Sequence, residues 1–104
     1  MFGKDDILDI HGIVLRLETG ETFVEGRLIP LTKTEFRLLH FLASHAGTTY
    51  TRQQLIEAVH GTNYPATDRS VDSQVMGLRK RLGEYGHLIE AVRGVGYRFN
   101  NSGA

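Results

Sequence analysis

Cysteine and tryptophan are absent from this sequence of 104 residues, and proline occurs only twice. Without cysteine, neither a disulfide scaffold nor a zinc site with thiolate ligands can form. No apolar run approaches the roughly 18 residues that cross a bilayer, and the first ten residues lack the apolar core of a signal peptide. We therefore expect one cytoplasmic domain over residues 7–100, preceded by a linker at 1–6 and followed by a disordered tail at 101–104.

Net charge is also absent, because twelve lysines and arginines balance twelve aspartates and glutamates. The charges are nevertheless unevenly distributed along the chain. Residues 69–98 contain six basic and three acidic side chains, which leaves +3 in this segment and −3 in the remainder. Such a separation can steer a polyanion onto one face of a protein while the rest keeps it soluble. The C-terminal third is therefore the expected binding region.

Short strands separated by glycine-containing turns occupy the first thirty residues. The runs ILDI, IVLRL, ETFV and RLIPL are divided by His11-Gly12, by residues 18–20 and by Glu25-Gly26. Close spacing and turns of this kind predict an antiparallel meander of four strands. Pro30 suits the end of the last strand, where no backbone donor is needed.

Two capping boxes mark the starts of the first two predicted helices. Thr32 is followed by Glu35, and Thr51 by Gln54, so that each pair can satisfy two free backbone amides. Each helix is expected to end at the glycine that follows it, at position 47 or 61. Apolar residues recur at helical spacing in both segments. They are Phe36, Leu39, Leu42 and Ala43 in the first helix, where Leu38 and Phe41 widen the apolar face, and Leu55, Ala58 and Val59 in the second.

A third helix is predicted over residues 68–82, and it is amphipathic. Its apolar residues step by four, three and four positions, which places them on one stripe: Val71, Val75, Leu78 and Leu82. At 100° per residue, the opposite side carries Arg69, Ser73, Met76, Gly77 and Lys80. Gln74, Arg79 and Arg81 fall on the flanks. The side facing away from the core is therefore polar and basic.

The runs LIEAV and GYRF predict a C-terminal hairpin around Arg93-Gly94-Val95. Strands, three helices and a final hairpin form the order of a helix-turn-helix with a wing. An α-helix fits the major groove of DNA, and a neighbouring hairpin can carry an arginine into the minor groove, whose negative potential attracts it. The pattern therefore indicates double-stranded DNA as the partner.

Enzyme motifs are weak or missing. The segment Gly94-Val95-Gly96 lacks the third glycine and the following helix of a dinucleotide-binding loop. No G-x-S-x-G elbow is present, and His40 and His45 are five residues apart, so they do not share a helix face as a zinc pair would. We predict no catalytic, cofactor-binding or metal-binding residue. A small hydrolase or ligand-binding domain is disfavoured because no catalytic groups converge.

The motifs LTKTEFRLLHFLASHAG, TRQQLIEAVHG, DRSVDSQVMGLRKRLG and VRGVGYRF resemble the DNA-binding effector domains of OmpR/PhoB-type response regulators. The resemblance covers roughly residues 7–99, with the N-terminal strands matching in layout more than in residues. It implies an α+β fold, a winged helix-turn-helix with an N-terminal four-stranded antiparallel sheet, three helices and a C-terminal β-hairpin wing. It also implies transcription regulation in a two-component phosphorelay, with a receiver domain on the N-terminal side.

The same resemblance implies roles for individual residues. It assigns DNA contacts from the third helix to Arg69, Ser70, Ser73, Gln74, Met76, Gly77 and Arg79. Lys80 is added because it is a cation on the side of the helix opposite the apolar stripe. Arg93 matches the wing arginine, and Tyr97 matches a tyrosine that meets a phosphate. Two copies are expected in tandem on direct-repeat promoter sites. RNA polymerase is expected to contact the loop made by Gly61, Thr62, Asn63, Tyr64, Pro65, Ala66 and Thr67.

Three positions of the sequence depart from the family's usual residues. Met76 and Gly77 stand where arginine or another polar residue is frequent, and His60 stands where tryptophan is frequent. Met76 is either a plain exposed apolar residue or a contact to a thymine methyl group. Gly77 is either a neutral substitution or a site of close approach to the DNA backbone.

Other residues assigned to DNA contacts could instead have purely structural roles. Arg79 and Arg81 suit ion pairs as well as DNA contacts, and Tyr97 suits the core with its hydroxyl directed outward. Met76 and Gly77 leave the middle of the third helix with few polar groups that could read DNA. This permits a second function, in which the winged helix binds a protein and binds DNA weakly or without sequence specificity.

Overall fold

The computed structural model describes residues 7–62 and 64–101. The predicted linker at 1–6, Asn63 of the predicted polymerase loop and 102–104 of the predicted tail lie outside the described residues. The elements follow in the order β1 (Ile7–Ile10), β2 (Ile13–Arg16), β3 (Glu21–Val24), β4 (Arg27–Ile29), α1 (Lys33–Ser44), β5 (Thr49–Thr51), α2 (Arg52–His60), α3 (Asp68–Leu82), a 3-10 helix (Gly83–Leu88), β6 (Ile89–Val92) and β7 (Gly96–Phe99). This confirms the predicted α+β class.

Strands β1 to β4 form an antiparallel sheet in chain order, which confirms the predicted meander. Two of its turns contain two residues, because Ile10 pairs with Ile13 and Val24 pairs with Arg27. Both residues of each turn have positive φ, as tight hairpins with a matching strand twist require. Alternate side chains on β2 and β3 point inward and are buried: Ile13, Leu15, Thr22 and Val24.

Both predicted capping boxes are present. The Thr32 hydroxyl accepts from the Glu35 amide, and the Thr51 hydroxyl accepts from the Gln54 amide. Helix α1 ends three residues before Gly47, and α2 is capped by Gly61 as predicted. The predicted apolar faces are largely confirmed, with some differences. Ala58 is exposed, Phe36 and Phe41 are half-buried, and Glu35 and Ile56 are buried in addition. The buried residues are Glu35, Leu38, Leu39, Leu42 and Ala43 in α1 and Leu55, Ile56 and Val59 in α2.

The predicted stripe of α3 is confirmed, since Val71, Val75, Leu78 and Leu82 are all buried. They join one core with the inner residues of both sheets and with α1 and α2. Phe99 at the end of β7 is fully buried in the same core. None of the described helices is long and apolar enough to span a membrane.

The C-terminal hairpin belongs to a three-stranded sheet with the order β5-β7-β6. The sequence did not predict β5, whose three residues precede α2 and pair with β7. Gly96 makes this pairing possible, because a side chain there would collide with the carbonyl group of Tyr50. The added strand fixes the base of the hairpin against the helices.

Candidate nucleic-acid interface

The outermost face of α3 consists of Arg69, Ser73, Met76 and Lys80, all exposed. They lie opposite the buried stripe, as the helical periodicity predicted. Within residues 7–62 and 64–101, neither Arg69 nor Lys80 forms an ion pair or a side-chain hydrogen bond. Met76 between them is 66% exposed. The face therefore offers two unpaired cations and one apolar side chain to a partner.

Ser70 and Gln74 lie at the edge of this face that borders α1, and both are half-buried. The Ser70 hydroxyl donates to the carbonyl of Thr67 at 2.6 Å, which occupies its proton in the first turn of α3. Gln74 lines an open groove together with Thr34 and Ser73. Of the predicted hydrogen-bonding readers, Ser73 is the most accessible.

Gly77 requires a correction to the predicted outward face. It is half-buried and lies against α1, where a β-carbon would come 2.9 Å from Oε2 of Glu35. Gly77 and Met76 both lie about 130° from the centre of the buried stripe at 100° per residue, but on opposite flanks, and the flank of Gly77 is the one against which α1 packs. The outward face of α3 therefore includes Met76 and Lys80 but not Gly77.

The two flank arginines have different partners. Nε and Nη2 of Arg79 donate to the Ile89 carbonyl at 2.9 and 2.6 Å, which ties α3 to β6. Arg81 forms an ion pair with Glu35 at 2.9 Å, as the ion-pair alternative predicted. Arg79 was predicted either to pair with an acid or to touch DNA, and its guanidinium is instead bound to a backbone oxygen.

Tyr97 is also engaged inside the protein. It is 6% exposed, and its hydroxyl donates to Oδ1 of Asp72 at 2.6 Å. Nε of Arg52 donates to the same oxygen at 2.7 Å. Burial raises the pKa of Tyr97, and the bond to Asp72 raises it further, so the phenol keeps its proton.

The bond from Tyr97, followed by that from Arg52, lowers the pKa of Asp72. A charged carboxylate in this position joins α2, α3 and β7. From the sequence alone, Asp72 was included only in the net charge of residues 69–98, and no role was predicted for Arg52. Asp68 and Asp72 are both acids of α3, and no local signal in the sequence distinguished Asp72 as the one that receives two donors.

The tip of the wing is a three-residue turn closed by a hydrogen bond from the Val95 amide to the Val92 carbonyl at 2.9 Å. Gly94 has φ +78°, the left-handed conformation that such turns require. Arg93 is exposed and has no ion pair or side-chain hydrogen bond to the part of the chain that the structure describes. The tip therefore presents an unpaired guanidinium beside Val95.

The loop between α2 and α3 is organised by an aromatic stack that the sequence did not predict. The rings of His60 and Tyr64 are 3.9 Å apart and nearly parallel, and Tyr64 stays 46% exposed. The Ala66 amide donates to the Tyr64 carbonyl at 2.9 Å, and Ala66 is half-buried against the core. Stacking on the end of α2 thus holds the loop while one face of Tyr64 remains available.

Comparison with known proteins places these features in a family. The family model described as "Transcriptional regulatory protein, C terminal" matches residues 26–99. The transcriptional regulatory protein VxrB of Vibrio cholerae serotype O1 is 43% identical over 97 residues, covering 92% of this chain and 39% of VxrB. The phosphate regulon transcriptional regulatory protein PhoB of Klebsiella pneumoniae is 36% identical over 98 residues, covering 92% of this chain and 43% of PhoB. The chain spans less than half the length of these curated relatives.

A solved structure extends the similarity to three dimensions. The DNA-binding domain of the response regulator AdeR, crystallised in complex with an intercistronic region, has a TM-score of 0.78 and 35% identity. The match covers 86% of this chain and 95% of the AdeR domain. The family match, the identities and the winged architecture together show that this chain belongs to the C-terminal domains of transcriptional regulatory proteins, as a DNA-binding effector domain of the OmpR/PhoB type.

Proposed function

We propose that this domain reads duplex DNA with α3 in the major groove and Arg93 of the wing in the adjacent minor groove. One observation carries the proposal. The side of α3 opposite the core holds Arg69 and Lys80, which are unpaired within the described part of the chain, and hydrogen bonds from Arg79 and Tyr97 secure the wing beside it. A helix fits the major groove, and an exposed guanidinium suits the negative potential of a narrow minor groove.

Each exposed residue of the face has a separate proposed task. Arg69 and Lys80 contact phosphates, which gives affinity without sequence information. Ser73 and Gln74 read base edges by hydrogen bonds, and Met76 touches a thymine methyl group. Ser70 borders the same groove. The bonds that occupy Arg79 and Tyr97 support a different task for these two residues, which is to hold the wing and α3 in register.

The partners proposed for the whole protein follow from its relatives. AdeR was crystallised with an intercistronic region, which supports promoter DNA as the ligand here. The longer relatives are named as transcriptional regulatory proteins and AdeR as a response regulator, which supports a regulatory task. For the whole protein we propose an N-terminal receiver domain and a cytoplasmic location. Two copies in tandem on direct repeats would combine two weak contacts into one stable complex. The loop from Gly61 to Thr67, which presents Tyr64, is the proposed contact for RNA polymerase.

A second candidate function is a winged helix that binds protein. The exposure of Met76 and Val95 favours it, since both are large apolar side chains on the candidate interface. Salt dependence separates the two functions, because phosphate contacts release counterions and protein contacts do not.

The test measures affinity for duplex DNA at several salt concentrations. We expect a linear fall of log K with log salt, and a slope smaller by about one unit for each of Arg69→Ala and Lys80→Ala. The matched control is Arg27→Ala, which removes an exposed cation from β4, away from α3. A flat salt response of the wild-type domain on every duplex would replace the DNA proposal with the protein-binding one.

A further inference from the structure

Gly77 lies in the interior of α3, where glycine lowers helix stability relative to alanine. The reason for a glycine here is visible in its surroundings. A β-carbon at this position would lie 2.9 Å from Oε2 of Glu35, closer than β-carbons approach other heavy atoms. The missing side chain leaves a notch in the surface of α3, and the Glu35 carboxylate occupies it.

Glu35 cannot leave the notch without losing its partners. It is 7% exposed, and its Oε1 accepts from the Thr32 amide at 3.0 Å and from Nε of Arg81 at 2.9 Å. Moving the carboxylate would break the capping box of α1 and leave a buried charge without its counter-ion, which is costly. An added methyl group at position 77 would therefore have to be accommodated by a shift of the carboxylate that strains these contacts or by a displacement of α3.

Arg81 completes the arrangement from the same side of the helix. It follows Gly77 by four residues, and long helical side chains lean toward the helix N-terminus, so Arg81 covers the surface beside position 77. The glycine clears the space, and the arginine supplies the positive charge. Together they accept a carboxylate from the first turn of α1.

We propose that Gly77 is a notch for Glu35, and that Glu35 and Arg81 position α3 for sequence reading. The positioning role rests on the proposed function of α3 as the DNA reader. On the opposite flank, Asp72 and Arg79 tie α3 to the wing sheet. Polar contacts on both flanks set the direction in which the outermost residues point. Gly77 acts behind the interface and does not touch DNA.

Thermal stability tests the notch independently of DNA. Gly77→Ala is made in three backgrounds: wild type, Glu35→Gln and Glu35→Ala. We expect Tm to fall by about 4–8 °C in the first two, where a side chain of the same size fills the notch. In the Glu35→Ala background we expect Tm to rise by about 4–8 °C, because alanine then only improves the helix. A rise in the wild-type background overturns the notch, and this result does not require the Glu35→Ala protein to fold.

DNA discrimination tests the positioning role. The wild-type domain is first used to enrich a duplex from a random-sequence pool. The measurement is the affinity for this enriched duplex divided by the affinity for an unselected duplex. We expect Gly77→Ala to lower this ratio about fivefold or more, the effect of one misread base pair, with no change in salt slope. The double variant Glu35→Ala/Gly77→Ala should also show a low ratio, because it lacks the Glu35 carboxylate, even though its Tm is expected to exceed that of Glu35→Ala. Arg81→Lys, which retains the charge, should lose less than Arg81→Met.

Two outcomes contradict the positioning role. Wild-type discrimination in Glu35→Ala/Gly77→Ala would show that Glu35 does not orient α3. A loss of DNA affinity in Gly77→Ala with an unchanged or higher Tm would place the glycine against the DNA backbone instead. If the wild-type domain enriches no duplex at all, the proposed DNA function fails, and with it the positioning role, whereas the Tm series still decides whether the notch exists.

Discussion

The hydroxyl of Tyr97 donates a hydrogen bond to Oδ1 of Asp72 at 2.6 Å and thereby joins the wing strand β7 to α3. Arg52 donates to the same oxygen at 2.7 Å and adds the start of α2. The guanidinium of Arg52 also lies over the Tyr97 ring, 5.5 Å from its centre. Because one carboxylate oxygen connects three elements, the angle between the wing and α3 depends on it.

Tyr97→Phe removes one donor from Asp72 and leaves the bond from Arg52 in place. We expect the free energy of unfolding to fall by about 0.5–1.5 kcal/mol, the net contribution of one hydrogen bond. Urea denaturation measures it. Tyr64→Phe is the control, because the structure gives that exposed hydroxyl no partner among the described residues. Unchanged stability with a large loss of DNA affinity would support the phosphate contact that family resemblance implies.

Arg93→Ala should weaken DNA binding chiefly on sites flanked by A·T base pairs. The guanidinium at the exposed tip has no ion pair within the described residues, and narrow A·T-rich minor grooves have the strongest negative potential. Binding titrations on duplexes that differ only in A·T-rich or G·C-rich flanks measure the difference. Arg27→Ala serves as the control for loss of one charge. Equal losses on both flanks would assign Arg93 to a phosphate.

Met76 should make the domain sensitive to thymine methyl groups. Replacing the thymines of a bound site by uracil, one at a time, removes a methyl group and keeps the hydrogen-bond pattern. At one position we expect the wild-type domain to lose about fourfold in affinity, which corresponds to about 0.8 kcal/mol for one buried carbon. Met76→Ala should be insensitive there, and Ser73→Ala should remain sensitive. Identical responses of both variants at every thymine would leave Met76 as a plain exposed apolar residue.

His40 should make the fold less stable in mild acid. Burial, followed by the nearby His45, lowers the pKa of His40 from its ordinary value of 6.5. Below about pH 6.5 the unfolded chain therefore takes up a proton that the folded chain resists, so stability is full above this pH and declines as pH falls toward the folded pKa. Chemical denaturation from pH 7.5 to 5 should show a smaller decline in His40→Gln than in wild type. The exposed His87→Gln is the control, and equal declines in all three proteins would exclude His40 as the source.

Local signals in the sequence were sufficient for most elements. Thr32 with Glu35 and Thr51 with Gln54 predicted two helix starts, because capping requires only residues three positions apart. The spacing of the apolar stripe predicted α3 and its outward residues. Glycine-containing turns predicted the first sheet and the final hairpin. Strand β5 was not predicted, since three residues carry too little pattern and their partner β7 lies at the far end of the chain.

The polar contacts of the candidate site could not be derived in the same way. Asp72 lies 20 residues from Arg52 and 25 from Tyr97, and nothing between them in the sequence specifies that the three meet. The side of α3 that faces α1 depends on how the two helices pack, so periodicity placed Gly77 outward although it faces Glu35. The sequence by itself determined most of the elements, the buried stripe and the basic face, because each depends on neighbours within one or two turns. Only the tertiary structure decided which polar residues stay free for DNA and which are bound within the protein, because those partners are brought together by packing of distant segments.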